Sequence, residues 1–180
     1  MRSGLKVFLV GMPGSGKSTV GKRLAQKLGF HFLDLDALII EREGQSIAQL
    51  FESRGQAYFR EAEASALRSV GGLPHSLVLA TGGGAPCFLD NMTYMQEQGL
   101  TIYLQVTPQE LVKRLTAEEL SLRPLLKNKS EIELLAYLTE TLAHREQFYS
   151  RAKLTINTGG ITLKAATQAL ETQVLAILAS

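Results

Sequence analysis

Apolar residues in this chain follow two patterns. Short continuous runs occupy positions 5–10, 31–35, 77–81, 101–106 and Leu154–Asn157, each the length of a strand. Val7-Phe8-Leu9-Val10 and Leu77-Val78-Leu79-Ala80 leave no polar position to turn towards water, so both faces of those strands must be covered. Between the runs lie stretches with helix signals. Lys17–Leu28 stops at Gly29, 37–43 follows two aspartates, and Ser46-Ile47-Ala48-Gln49 has the form of a capping box. Thr107-Pro108-Gln109-Glu110 combines an N-cap, a proline at the first helical position and an acid at the third, and Ser130 with Glu133 repeats the capping pattern. Leu163, Ala166, Leu170, Val174 and Leu178 recur at helical spacing, as in a final helix packed on a sheet. Strands alternating with helices predict a three-layer α/β fold: a parallel sheet with helices on both faces. In such a sheet ligands gather at the carboxyl ends of the strands, and the residues just beyond each strand carry the chemistry.

Composition narrows the setting. A chain of 180 residues, 45% hydrophobic, fits one domain spanning 1–180 with one substantial core. The net charge of +2 comes from 19 basic and 17 acidic residues with no basic block, which argues against nucleic acid or an anionic membrane as partner. Cys87 is the single cysteine and forms no intramolecular disulfide, in keeping with a reducing compartment. Met1-Arg2-Ser3-Gly4 leads directly into the first strand, and no apolar stretch approaches membrane-spanning length, so the expected location is cytoplasmic. His31, His75 and His144 lack metal-ligand spacing, among themselves or with Cys87, which reads as a small buried filler near the glycines.

The most specific motif follows the first strand. Gly11-Met12-Pro13-Gly14-Ser15-Gly16-Lys17-Ser18 is a phosphate loop in the strand–loop–helix context that gives the pattern meaning. Its glycines let backbone N–H groups turn inward around phosphate oxygens, and the helix N-terminus adds partial positive charge. Lys17 reaches the β- and γ-phosphates, and the Ser18 hydroxyl is placed for Mg2+. Gly11, Gly14, Ser15, Gly16 and Thr19 complete this nucleotide-binding set. A glycine-rich turn without a ligand is the plain alternative.

After the second strand, alternation along an extended Asp34-Leu35-Asp36 would turn both carboxylates to one side, near the phosphate loop. Asp34 is the candidate for the magnesium shell, through water, and Asp36 for the acceptor; a helix N-cap with a solvated neighbour is the alternative. After the third strand, Gly82-Gly83-Gly84 implies a very close approach to the backbone, or a turn. No acid ends this strand, and Asp34 is the candidate replacement for the usual metal-side aspartate. Arg60, Arg123 and Arg145 fall in segments expected at the same edge, although spacing alone leaves each as readily a surface residue.

Together these segments resemble the shikimate kinase family. The likeness runs from the phosphate loop through Phe32-Leu33-Asp34-Leu35-Asp36, Phe59-Arg60-Glu61-Ala62-Glu63, Thr81-Gly82-Gly83-Gly84 and Leu122-Arg123-Pro124-Leu125-Leu126 to Arg145-Glu146-Gln147-Phe148-Tyr149. It implies a five-stranded parallel sheet in the order 2-3-1-4-5, a substrate-binding helical region at about 36–63 and a lid at about 116–129. It implies transfer of the γ-phosphoryl group of ATP, with Mg2+, to the 3-hydroxyl of shikimate, a step towards chorismate and the aromatic amino acids, by a monomer. Carried over by position, Asp36 meets the ring hydroxyls, Arg60 and Arg145 hold the carboxylate, and Gly82, Gly83 and Gly84 bring backbone to the ring. Lys17, Asp36 and Arg123 are then the catalytic set, Ser18 and Asp34 the metal residues, and Arg114 and Arg123 nucleotide contacts, with Arg114 against adenine. Asn157-Thr158-Gly159-Gly160 lacks an arginine that some members place beside the base, and the segment around Glu118-Glu119-Leu120-Ser121 is longer than in some relatives. A gluconate kinase of the same architecture is the nearest rival; the triple glycine with the aspartate pair favours a shikimate-like pocket.

Overall fold

The computed structural model describes residues 4–115 and 129–179. Five strands, β1 (Lys6–Val10), β2 (His31–Asp34), β3 (Leu77–Ala80), β4 (Leu100–Gln105) and β5 (Leu154–Asn157), form one parallel sheet in the order β2-β3-β1-β4-β5. The described helices are α1 (Lys17–Leu28), α2 (Leu35–Glu43), α3 (Ile47–Gly71), α4 (Asn91–Gln98), α5 (Pro108–Arg114), α6 (Glu131–Tyr149) and α7 (Leu163–Ala179). The expected strand positions and sheet order are those observed, to within a residue or two at the ends.

Alternation along the central strands divides the interior in two. Phe8 and Val10 of β1, with Leu77 and Leu79 of β3, pack on one face against Leu35 and Ile39 of α2, Leu67 and Val70 of α3 and Leu138 of α6. Val7 and Leu9, with Val78, Ile102 and Leu104, face the other way onto Val20 and Leu24 of α1 and Leu170 and Val174 of α7. Successive side chains of a strand point to opposite faces, so a wholly apolar strand needs both layers. Gly21 lets α1 lie close to the sheet: a Cβ there would stand 2.7 Å from Phe32 and 3.0 Å from Leu9.

Local chemistry sets the helix ends. The expected capping boxes are present at Ser46 with Gln49 and at Ser130 with Glu133, and Thr107 caps α5. Helix α3 breaks at Gly55, whose φ of 79° and ψ of 175° interrupt the ladder. One strand end differs from expectation. The second strand stops at Asp34, and Leu35 already belongs to α2, so Asp36 lies in a helical first turn rather than on an alternating extended segment. The reason is local: Asp34 Oδ1 accepts from the N–H groups of Asp36 and Ala37 at 3.1 and 3.3 Å, which starts the helix at once.

Candidate active site

The phosphate loop occupies the C-terminal end of β1, at the centre of the sheet. Gly11, Gly14 and Gly16 have φ of 142°, 80° and 94°, values that L side chains rarely adopt, so the curl depends on glycine at each. Ser15 N–H closes a turn onto Met12 O at 3.1 Å, and the Ser15 side chain is buried beneath it. Lys17 opens α1 and bridges the loop, donating to Gly11 O at 2.9 Å and Met12 O at 2.8 Å. Ser18 and Thr19 are exposed at the mouth of the loop and, with Gly14, Gly16 and Lys17, line a cavity of about 420 Å³.

Asp34 joins this wall from the next strand but one. The β2–β3 register sets Asp34 beside Ala80, the last residue of β3, and its Oδ2 accepts from Ser18 Oγ at 2.7 Å. A carboxylate therefore stands beside the phosphate loop although β3 is followed by Thr81 rather than an acid, the Thr81 hydroxyl donating to Leu9 O at 2.9 Å. Asp34 is the helix N-cap of the alternative reading through one oxygen, while its other oxygen faces Ser18. A hydroxyl and a carboxylate beside a phosphate loop are hard oxygen donors suited to Mg2+ held mostly by phosphate and water. Among the described residues no group of three or more His, Cys, Asp or Glu forms a cage for a metal.

The glycine stretch is where the dispersed residues converge. Gly82 O accepts from Ala85 N–H at 3.1 Å across a turn, but none of Gly82, Gly83 and Gly84 has a left-handed φ, so the turn itself does not require glycine. What they provide is proximity. A Cβ on Gly82 would lie 3.0 Å from Glu63 Oε1 and 3.1 Å from Asp36 Oδ1, and one on Gly83 would lie 2.8 Å from Pro13 and 3.1 Å from Arg145 Nη1. One on Gly84 would meet the Arg60 guanidinium at 2.7 Å. Helices α2, α3 and α6 thus bring Asp36, Arg60 and Arg145 to one strand end, beside the phosphate loop. Asp36, Gly82 and Gly83 line the cavity; Arg60, Gly84 and Arg145 do not, Arg60 lying against Gly84 and Arg145 against Gly83.

Two residues of this cluster lay outside the expected set. Glu63 is 1% exposed and accepts from Arg60 Nη1 at 2.7 Å. Burial pushes its carboxyl above the ordinary range, against the pull of the Arg60 charge. The signal for it was the spacing of three from Arg60 on a helix. Tyr149, four residues after Arg145, donates its hydroxyl to Gly83 O. Burial raises its pKa, and that of Tyr103, whose hydroxyl donates to Glu146 Oε2 at 2.8 Å. Together they tie α6 to β4 and to the glycines.

Arg114 also lines the cavity, with Glu110 and Ile161. Its Nε donates to Glu110 at 3.2 Å and its Nη1 to Thr158 Oγ1 at 3.3 Å, which fixes it against the loop after β5. Cys87 is only partly buried, in a short 3₁₀ turn at Ala85–Cys87, so it is not an enclosed filler. Burial still raises its thiol pKa, opposed by the charges of Arg145 and Arg60. Arg123, and 116–128 of the expected lid, lie outside the described residues.

A phosphate loop on a 2-3-1-4-5 sheet, facing a second cluster of acids and arginines, defines a phosphate-loop kinase of small acceptors. The comparisons with known proteins agree in detail. The family model described as shikimate kinase matches residues 13–174. A shikimate kinase of Parabacteroides distasonis is 45% identical over 152 residues, 84% of this chain and 87% of the relative. One of Geobacter sulfurreducens is 45% identical over 157 residues, 87% of this chain and 83% of the relative. The crystal structure of the Bacteroides thetaiotaomicron shikimate kinase superposes with a TM-score of 0.86 at 36% identity, covering 94% of this chain and 98% of that one. The Acinetobacter baumannii shikimate kinase in complex with shikimate gives 0.85 at 32% identity, covering 96% and 94%. The chain belongs to the shikimate kinase family.

Proposed function

We propose that the chain transfers the γ-phosphoryl group of ATP to the 3-hydroxyl of shikimate, as a cytoplasmic monomer whose site groups all come from one chain. The observation that carries this is the convergence of Arg60, Arg145, Asp36 and Glu63 on Gly82–Gly84, one residue's width from Pro13 of the phosphate loop. Two guanidiniums suit a carboxylate, and acids suit hydroxyls.

In this reading Gly14, Gly16, Lys17 and Thr19 hold the triphosphate, with Arg114 against the base. Lys17 exchanges the carbonyls of Gly11 and Met12 for phosphate oxygens, and Ser18 with Asp34 would hold Mg2+. The ion, when bound, supplies charge neutralisation on the β- and γ-oxygens. Arg60 and Arg145 fix the acceptor's carboxylate, while Asp36, held in the first turn of α2, orients the hydroxyl in line and takes its proton. Phosphoryl transfer asks mainly for such positioning and for charge stabilisation, to which Arg123 would add from the lid.

The test is ADP release in the presence of Mg2+ with shikimate and with gluconate. Shikimate-dependent release is expected, with gluconate inert; release with neither acceptor, or with gluconate alone, overturns the reading. In the same assay Asp36→Asn is expected to lower kcat by about 10²-fold or more, the span of general-base contributions. Retention of most turnover at saturating shikimate would leave Asp36 an orienting group only.

A further inference from the structure

We infer that Phe88 is a positioning residue for the acceptor's carboxylate, acting through Arg60. This rests on the proposed role of Arg60. A guanidinium binds a carboxylate by a fork of parallel N–H bonds, so the direction of its plane decides whether both bonds form. Glu63 restrains only one corner of the Arg60 fork, at Nη1, and Arg60 Nε is buried with no hydrogen-bond partner among the described residues. One hydrogen bond leaves the plane free to turn. Gly84 lies against the group, and the Phe88 ring closes on it, with Arg60 Cζ 4.1 Å from the ring centroid; Phe59 is further away at 5.0 Å. A cation held at that distance over an aromatic face is attracted by the ring's quadrupole, and a planar one is also oriented by it.

The backbone around Phe88 is built to deliver the ring. Leu89 and Asp90 have φ of 49° and 54°, two successive non-glycine residues in the left-handed region. Such a conformation persists only where the surroundings enforce it. Arg68 of α3 supplies the restraint, donating to Leu89 O at 2.8 Å and to Asn91 Oδ1 at 2.8 Å. Asn91, fully buried, returns its amide to Ala85 O at 3.0 Å, and its backbone N–H reaches Phe88 O at 3.0 Å. The chain on both sides of Phe88 is thereby clamped to α3, the helix that carries Arg60. Ring and guanidinium are fixed from one support.

The experiment compares shikimate with its methyl ester, which lacks the charged carboxylate, in wild type and in Phe88→Leu, Phe88→Met and Phe88→Tyr. Leu and Met keep apolar bulk without a π face; Tyr keeps the face. The expected result for Leu and Met is a KM for shikimate raised about tenfold, with kcat and the KM for ATP held within about twofold. The acid-over-ester preference in kcat/KM falls by a similar factor, while Phe88→Tyr behaves as wild type. An unchanged preference in Leu and Met, or an equal loss in Tyr, overturns the role of Phe88. Failure of the wild type to use shikimate at all would instead overturn the reading of the site on which it rests.

Discussion

Glu63 carries the sharpest conflict at the scale of single residues. Its carboxyl is 1% exposed, yet it faces Arg60 at 2.7 Å, so desolvation and Coulomb attraction act in opposite directions. Burial is the larger effect, and its pKa in the fold is raised. The folded state then holds the proton more tightly than the unfolded chain does. The stabilisation from this group is full below the ordinary carboxylate pKa and is lost as pH rises through the raised value. Glu63→Gln does not titrate, so its Tm relative to wild type should become more positive between about pH 4 and pH 7.5. Thermal melts across that window decide it, and a difference that grows more negative means that Arg60 dominates. The curl of the phosphate loop was legible because its spacing is local: Lys17 and Ser18 follow directly on Gly16. Glu63 and Tyr149 were not: the spacing of Glu63 from Arg60 is local, but its burial beside Gly82, like the Gly83 carbonyl that Tyr149 meets, is supplied only by the tertiary fold.

Elements were readable where the chain states its own boundaries, as at Ser46, Thr107, Ser130 and Gly29, where a side chain or a left-handed glycine satisfies the helix end. The end of β2 was misread because extended and capped readings of Asp34-Leu35-Asp36 share one sequence, and the cap prevailed. The pair still faces the cavity, since the register with β3 rather than alternation places Asp34 there. The glycines separate the two uses of that residue. Gly44 ends α2 with φ of 67° and open space around it, whereas Gly84 has φ of −88° and the Arg60 guanidinium within 2.7 Å of a Cβ. Gly44→Ala should therefore cost about 1 kcal/mol, roughly 2–4 °C in Tm, and leave the KM for shikimate unchanged. Gly84→Ala should do the reverse, raising that KM by about tenfold through a displaced fork with little change in Tm. Paired melts and kinetics test the contrast; a melting loss confined to Gly84→Ala would show that its role is in the fold.

For the whole molecule, the two interior faces of the sheet support different parts of the proposed site. The start of α1, which carries Lys17 and Ser18, packs with α7 on one face; α2, α3 and α6, which carry the proposed acceptor residues, pack on the other, where Met12 of the phosphate loop and Leu111 of α5 join them. The two parts meet where Ser18 donates to Asp34, where Gly83 lies close to Pro13 and where the Tyr149 hydroxyl reaches Met12 Sδ. Each substrate should consequently stabilise the fold through its own half. A ligand at a hundred times its Kd adds about 2.7 kcal/mol, which for a chain of this size raises Tm by roughly 5–10 °C. Arg145 is partly exposed, so Arg145→Ala should fold as wild type, lose the shift from shikimate and keep that from Mg·ATP. Lys17→Met should keep the shift from shikimate and lose most of that from Mg·ATP, since Lys17 is the cation of the phosphate loop. Thermal shift with each ligand alone reads both. If Arg145→Ala lost the nucleotide shift as well, the halves would act as one unit, and the carboxylate role of Arg145 would give way to a structural one between α6 and the phosphate loop.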